Sequence, residues 1–374
     1  MRADGQADRQ LIFERIALAG WYNHFRKETK EMSNLHRDRQ WRARLDELIR
    51  EQNVDLEFIA DYIGAPYNGS ETVFYAKVPK KRTRFIGIGM ALRQPLEQIN
   101  QWILDYSSHR RLYVKDVADD LIWIYLIGLN QSAEEGAANY FRMFEECQEA
   151  ALMIYTQLWD EITLGSIDTS DLEMELERIS YDDTFQGLRQ FIIDHMDSFK
   201  TAYARPRRML DRYLDCILNP DGSEAGGKTL NSLRGYLDDS MINYLSGDSE
   251  TVHTMDRRKP VRKVTFKTVP KNRKTHISLC LALGMTRGSI DQYLELMGYA
   301  PLREKGEEGQ LIEMLAGWER KRPLQEAYRK ACFEETAGPE LTGEQKQTAV
   351  QEMLNLRRDL HEEYKKRGLV FPYS

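Results

Sequence analysis

The sequence predicts an all-α fold: two copies of one helical module, an acidic helical segment between them and a C-terminal helical extension. Three observations carry that prediction. Apolar residues recur at helical spacing along most of the chain. Strand-like stretches are few, namely Thr72–Tyr75 and Val261–Phe266. A stretch beginning Val-Pro-Lys occurs twice, 191 residues apart, with the same apolar pattern behind it.

Taken in order, Leu11, Ile12, Ile16, Ala19 and Tyr22 form one helical stripe, the N-terminal helix of residues 1–37. The first module spans 38–130. It opens with the stripes Leu45, Leu48, Ile49 and Phe58, Ile59, Tyr62, Ile63. A helix starting near Thr83 and carrying Leu92 follows. After Pro95 comes another, with Leu96, Ile99, Trp102 and Ile103 inward. In the acidic segment, 131–218, stripes run through Leu152, Tyr155, Leu158, Trp159 and Ile162, then Phe191 to His195, then Leu210, Tyr213, Leu214 and Ile217. Residues 219–228, Asn-Pro-Asp-Gly-Ser-Glu-Ala-Gly-Gly-Lys, read as a linker and the clearest boundary. The second module, 229–318, includes helical Leu233–Leu245 and a helix from Ser289 to Met297 stopped by Gly298. In the extension, 319–374, Thr342 and Gln345 form a capping box. They open a long helix whose last turn holds Lys365 and Lys366 and which stops at Gly368.

Composition bounds the function. The chain has 374 residues, 41% of them hydrophobic, enough for a core without disulfides or a metal. It carries 53 Lys and Arg against 59 Asp and Glu, a net charge of −6. That balance excludes a membrane protein, a collagen-like chain and a wholly disordered one, and any anion-binding role must come from a local patch. Met1–Arg9 is polar, without the apolar core of a signal peptide, and Leu121–Leu129 is too short to span a bilayer. Cys147, Cys216, Cys280 and Cys332 are scattered and form no C-x-x-C pair. The expectation is a cytoplasmic protein with reduced thiols, no metal and no cofactor.

Charge is segregated. Fourteen acids from Glu134 to Asp183 face only Arg142 and Arg178. The sign then reverses in Arg257, Arg258, Lys259, Arg262, Lys263, Lys267, Lys271, Arg273 and Lys274, with no acid between them. The repeat lies at the edge of that basic stretch. Val78-Pro79-Lys80-Lys81-Arg82 matches Val269-Pro270-Lys271-Asn272-Arg273. Ile86 then meets Ile277, Ile88 meets Leu279, Ala91 meets Ala282, Leu92 meets Leu283 and Ile99 meets Ile290. After a one-residue deletion, Leu121-Ile122 meets Leu311-Ile312. Lys80, Lys81, Arg82 and Arg84 thus stand at a helix N-terminus, where backbone N–H groups and the dipole already favour an anion. His109 and His276, near these basic sites, are expected to assist phosphate contact.

From Trp41 onward the order of elements resembles the helix-turn-helix domain of Cro/repressor (XRE-like, lambda-repressor-like) proteins. Leu45–Glu51 matches the first helix. Asp55–Gly64 matches the second, with the family's small residue at Ala60 and its closing glycine at Gly64. Ser70–Ala76 matches the third, or recognition, helix. The match covers about residues 41–107, and its turn, Gly64 through Gly69, is long and includes Pro66. The resemblance implies double-stranded-DNA binding by a transcription regulator, with base contacts from Ser70, Glu71 and Thr72. Phosphate contacts would come from Lys77, Lys80, Lys81, Arg82 and Arg84 and from Arg257 to Lys274. The acidic helices would serve a protein partner, and a homodimer fits such a regulator. The competing reading is a non-catalytic scaffold with degenerate modules.

Two other motifs are present. Gly222 to Thr229 fits the P-loop pattern, but the helical, charged stretch Arg208–Leu218 stands where a buried strand is required, so a linker is preferred. Asp119-Asp120 is read as first-turn helix acids rather than metal ligands. No catalytic residue is assigned.

Overall fold

The computed structural model describes residues 32, 34–113, 118–133, 138–158, 169–180, 183–220, 230–246, 272–333 and 341–373. Among these the regular elements are all helical. In order they are α1 (34–52), α2 (Leu56–Tyr62), α3 (Val73–Ala76), α4 (Arg82–Ala91), α5 (Leu96–Tyr106), α6 (Ala118–Ser132), α7 (Tyr140–Leu158) and α8 (Thr169–Leu176). Then follow α9 (Thr184–Asp194), α10 (Met196–Leu218), a 3-10 turn (Leu230–Leu233), α11 (Asp239–Ser246), α12 (Arg273–Ala282), α13 (Arg287–Leu296), α14 (Gly306–Arg320), α15 (Pro323–Phe333) and α16 (Gly343–Lys366). The strand candidate Thr72–Tyr75 is therefore helical in its last three residues. Val261–Phe266, the N-terminal stripe and the P-loop-like stretch lie outside the described residues, as do Trp159 and Ile162.

The chain divides into two compact units. The first is residues 1–107 with 127–142; the second is 108–126 with 143–374. The boundary expected at 219–228 is not a division between units. The physical reason is the core of the second unit, where Leu210, Tyr213, Leu214 and Ile217 of α10 pack in one cluster with Leu233, Met241, Ile277, Leu281, Met353 and Leu356. Residues on both sides of the linker need each other's apolar faces.

In the first unit α4 is buried from Phe85 through Ala91, all around its circumference. A helix that is apolar on every face must be surrounded. Gly87 and Gly89 permit the surrounding to be close. A β-carbon at Gly89 would fall 2.4 Å from Ile99, and one at Gly87 would fall 2.8 Å from Ile63. Trp41 of α1 packs edge-on against Phe85, Trp102 and Tyr106, at 5.4, 5.7 and 5.3 Å between ring centroids.

In the second unit α12 plays the corresponding part, buried from His276 through Ala282. The two helices share more than sequence. Both have ten residues with the same bounds at the 191-residue offset. Both end in the same turn: Gln94 N–H bonds the Gly89 carbonyl as Met285 N–H bonds that of Cys280, at 2.8 and 3.0 Å. The residue in the left-handed conformation is Arg93 in one (φ 47°) and Gly284 in the other (φ 69°). At the C-terminal end, the Thr342–Gln345 capping box is formed, and Gly368 (φ 68°) follows α16.

Candidate nucleic-acid interface

The basic loop between α3 and α4 is assembled by α1. Asp38 accepts from the Val78 N–H at 2.9 Å. The Trp41 indole donates to the Phe74 carbonyl at 2.8 Å, and Asp46 accepts from the Tyr75 hydroxyl at 2.7 Å. Arg42 lies over the Tyr75 ring, 5.2 Å from its centroid. Val78 and Pro79 are buried while Lys77, Lys80 and Lys81 are exposed. The Val-Pro pair thus anchors the loop and turns the flanking lysines outward. Sequence reasoning missed Asp38, Trp41 and Asp46. Their partners lie 29 to 40 residues away, and no local periodicity marks such contacts.

Lys81 is the N-cap of α4, no side chain caps that terminus, and the first turn contains no acid. Arg82 and Arg84 are half-buried. The Arg84 guanidinium donates to the Ile63 carbonyl, where it satisfies the C-terminal end of α2.

The proposed base readers are placed differently. Ser70 and Glu71 are exposed, but Thr72 is fully buried. Its hydroxyl donates to the Gly69 carbonyl at 2.7 Å and accepts from the Asn68 N–H at 3.0 Å. Thr72 closes the turn and is not available to a base, which corrects its expected role. The expected recognition helix, Ser70–Ala76, shortens to the single turn Val73–Ala76, because Gly69 (φ 56°) and the Thr72 bonds hold residues 68–72 in a non-helical turn.

The second copy is closed where the first is open. Asn272 stands at the position of Lys81, and its side chain caps α12 by accepting from the Thr275 N–H at 2.9 Å. Arg273, expected to touch phosphate, is buried. It donates to both carboxylate oxygens of Glu308, at 3.0 and 2.8 Å, and to the carbonyls of Ala300 and Pro301. Burial pushes the Glu308 carboxyl up, but hydrogen bonds from Arg273 and the Arg303 N–H, with their charges, outweigh it and hold it below its ordinary value. Lys274 pairs with Glu307 at 2.9 Å, and its side chain stays half-exposed. Arg257, Arg258, Lys259, Arg262, Lys263, Lys267 and Lys271 lie outside the described residues.

His276 is also corrected. It is buried, hydrogen-bonded to the Tyr293 hydroxyl at 3.2 Å and packed against Tyr299. His109 stacks on Tyr299 with 6.1 Å between centroids, and Ala300 N–H bonds the Ser108 carbonyl alongside. Asp119 and Asp120 occupy the first turn of α6 as expected. Asp120 is buried and accepts from Arg110 at 2.8 Å, and Asp119 accepts from Gln148 at 3.1 Å. Among the described residues no cluster of three metal-ligating side chains occurs, and no helix is long and apolar enough to cross a membrane. No protein-family model, curated protein or solved structure matches this chain.

Proposed function

We propose that the protein is a non-catalytic regulator that binds double-stranded DNA through its phosphate backbone, using the α3–α4 loop of the first module. The observation that carries this reading is Lys77, Lys80 and Lys81 turned outward beside a helix N-terminus that no side chain caps. Phosphate contacts hold such a protein on the duplex but do not read sequence. Any base reading falls to Ser70 and Glu71, from a helical turn too short to fill a major groove by itself.

The second module favours a different role. With Asn272 capping α12, and Arg273 and Lys274 in ion pairs, its helix N-terminus serves the fold. That arrangement supports a scaffold in which only one module meets nucleic acid.

The test is salt-dependent binding to a pool of random duplexes. Each neutralised phosphate contributes about −0.9 to the slope of log K against log salt, so three lysines give about −3. Replacing Lys77, Lys80 and Lys81 with Ala should flatten the slope by up to about 3 and weaken all sequences alike. Absence of binding at about 50 mM salt sinks the DNA reading and leaves the scaffold.

A further inference from the structure

The dipeptide Asn-Gly occurs once in the chain, at Asn68-Gly69, in the turn between α2 and α3. Asparagine is a thermolabile residue, and a following glycine makes it more so. Glycine carries no side chain to shield its backbone nitrogen. That nitrogen can reach the carboxamide carbon of the preceding asparagine and close a five-membered ring. A fold suppresses the reaction by burying the carboxamide, or by hydrogen-bonding it or the N–H. Here neither protection is present. Asn68 is exposed. Among the described residues its carboxamide and the Gly69 N–H are bonded to nothing. A β-carbon on Gly69 would meet no atom within 4 Å, so the ring has room. Other asparagines are held. Asn130, Asn139 and Asn219 donate from Nδ2 at 2.7, 2.8 and 2.8 Å, and Asn272 caps α12. Asn53 is exposed, but the next N–H, of the β-branched Val54, is spent on the Ile49 carbonyl at 3.1 Å.

We propose that Asn68-Gly69 is a self-modifying site: it converts to an isoaspartyl linkage in the folded protein and so unlocks the turn that starts α3. The reaction needs only water. The Gly69 nitrogen gives up its proton and attacks Asn68 Cγ. The Cγ–Nδ2 bond breaks, and Nδ2 leaves as ammonia with that proton. Water then adds to one of the two carbonyls of the cyclic imide and breaks its bond to nitrogen. Addition at the side-chain carbonyl gives aspartate. Addition at the main-chain carbonyl gives isoaspartate, in which the chain runs through Cγ. One water is consumed, one ammonia is released, and nothing is oxidised or reduced.

The modified link lies inside a closed set of hydrogen bonds. Asn68 N–H donates to Thr72 Oγ1 at 3.0 Å, and Glu71 N–H donates to the Asn68 carbonyl at 3.2 Å. The Thr72 N–H and hydroxyl both donate to the Gly69 carbonyl, at 3.1 and 2.7 Å. Isoaspartate inserts one methylene between residues 68 and 69 and turns the Asn68 carbonyl into a free carboxylate. The Asn68 and Gly69 partners of Thr72 then fall out of register. Thr72 is the buried residue that precedes Val73, the first of α3, so loss of its bonds leaves a buried hydroxyl unsatisfied at the start of that helix.

The experiment uses the full chain, held folded in mildly alkaline buffer and sampled over days, with a second aliquot in urea. Peptides are mapped by mass spectrometry. Isoaspartate is counted by methyl transfer from an isoaspartyl-directed carboxyl methyltransferase. Asn68 should convert first in the folded aliquot, at a rate comparable to that in urea, while Asn53 stays an amide. The melting temperature should fall as isoaspartate accumulates. Freshly purified Asn68→Asp, which adds the charge without the methylene, should melt with the fresh wild type. Asn68→Gln should lose both the methyl acceptance and the drift in melting temperature. The wild-type map stands even if the variants fail to fold. Any of three results overturns the proposal: Asn68 kept as the amide in the folded chain while it converts in urea, another asparagine converting first, or isoaspartate formed with an unchanged melting temperature.

Discussion

Thr72 and Glu71 are neighbours with opposite fates. The sequence treats both as base readers, but Thr72 is fully buried with its hydroxyl bonded on both sides. Thr72→Ala should lower stability by about 1–2 kcal/mol and leave any sequence preference unchanged, as chemical denaturation and binding to defined duplexes would show. Glu71→Ala should do the reverse. Arg273 makes the same point with a charge. Removing it strands Glu308 in a partly buried site, so Arg273→Ala should cost about 3–5 kcal/mol at neutral pH. The Glu308 carboxyl titrates below its ordinary 4.5 when folded. Stability from the pair is therefore fully present above that value and lost as pH falls through the lower, folded one. The gap between wild type and Arg273→Ala should narrow on acidification below about pH 4.5, followed by denaturant melts. Gly284 adds a backbone case. It combines φ 69° with Met353 backbone atoms 2.6 Å from where a β-carbon would stand. Gly284→Ala should destabilise by more than about 1 kcal/mol, since neither the conformation nor the neighbour can give way.

α4 and α12 share one pattern and differ in the residue at the cap. Val-Pro-Lys-x-Arg, the in-phase apolar residues and the ten-residue length recur, and so does the closing turn. The cap residue is lysine in the first and a bonded asparagine in the second. Lys81→Asn should therefore transfer the cap. The expected gain is about 0.5–1 kcal/mol in thermal or chemical unfolding, together with weaker DNA binding and a salt slope flatter by about 1. If binding is unchanged, the α4 N-terminus is not the contact. The elements were legible in the sequence because helix periodicity, the capping box and the stop glycines are local signals. The four-residue α3 was not, because its shortening depends on Thr72 and Gly69 bonding across a turn.

Across the whole chain, the linker at 219–228 interrupts the sequence without dividing the core. Leu210, Tyr213 and Ile217 of α10 pack with Ile277, Leu281 and Met353 from the far side. A fragment of residues 229–374 should therefore lack cooperative unfolding by circular dichroism, whereas one that retains α10 should recover part of it. Linker composition reports where the chain can bend, not which apolar faces meet beyond the bend. The sequence by itself determined the helical class, the capping of α16 and the lysines at the start of α4. Each follows from spacing and residue type within about twenty neighbours, where backbone geometry alone relates positions. Tertiary structure decided that Lys77, Lys80 and Lys81 stay exposed while Arg273 and Lys274 pair with Glu308 and Glu307. It also set Thr72 inside the turn and hung the basic loop from Asp38, Trp41 and Asp46. Those outcomes depend on contacts between residues far apart in the chain, and burial and pairing are properties of the packed core that no local pattern encodes.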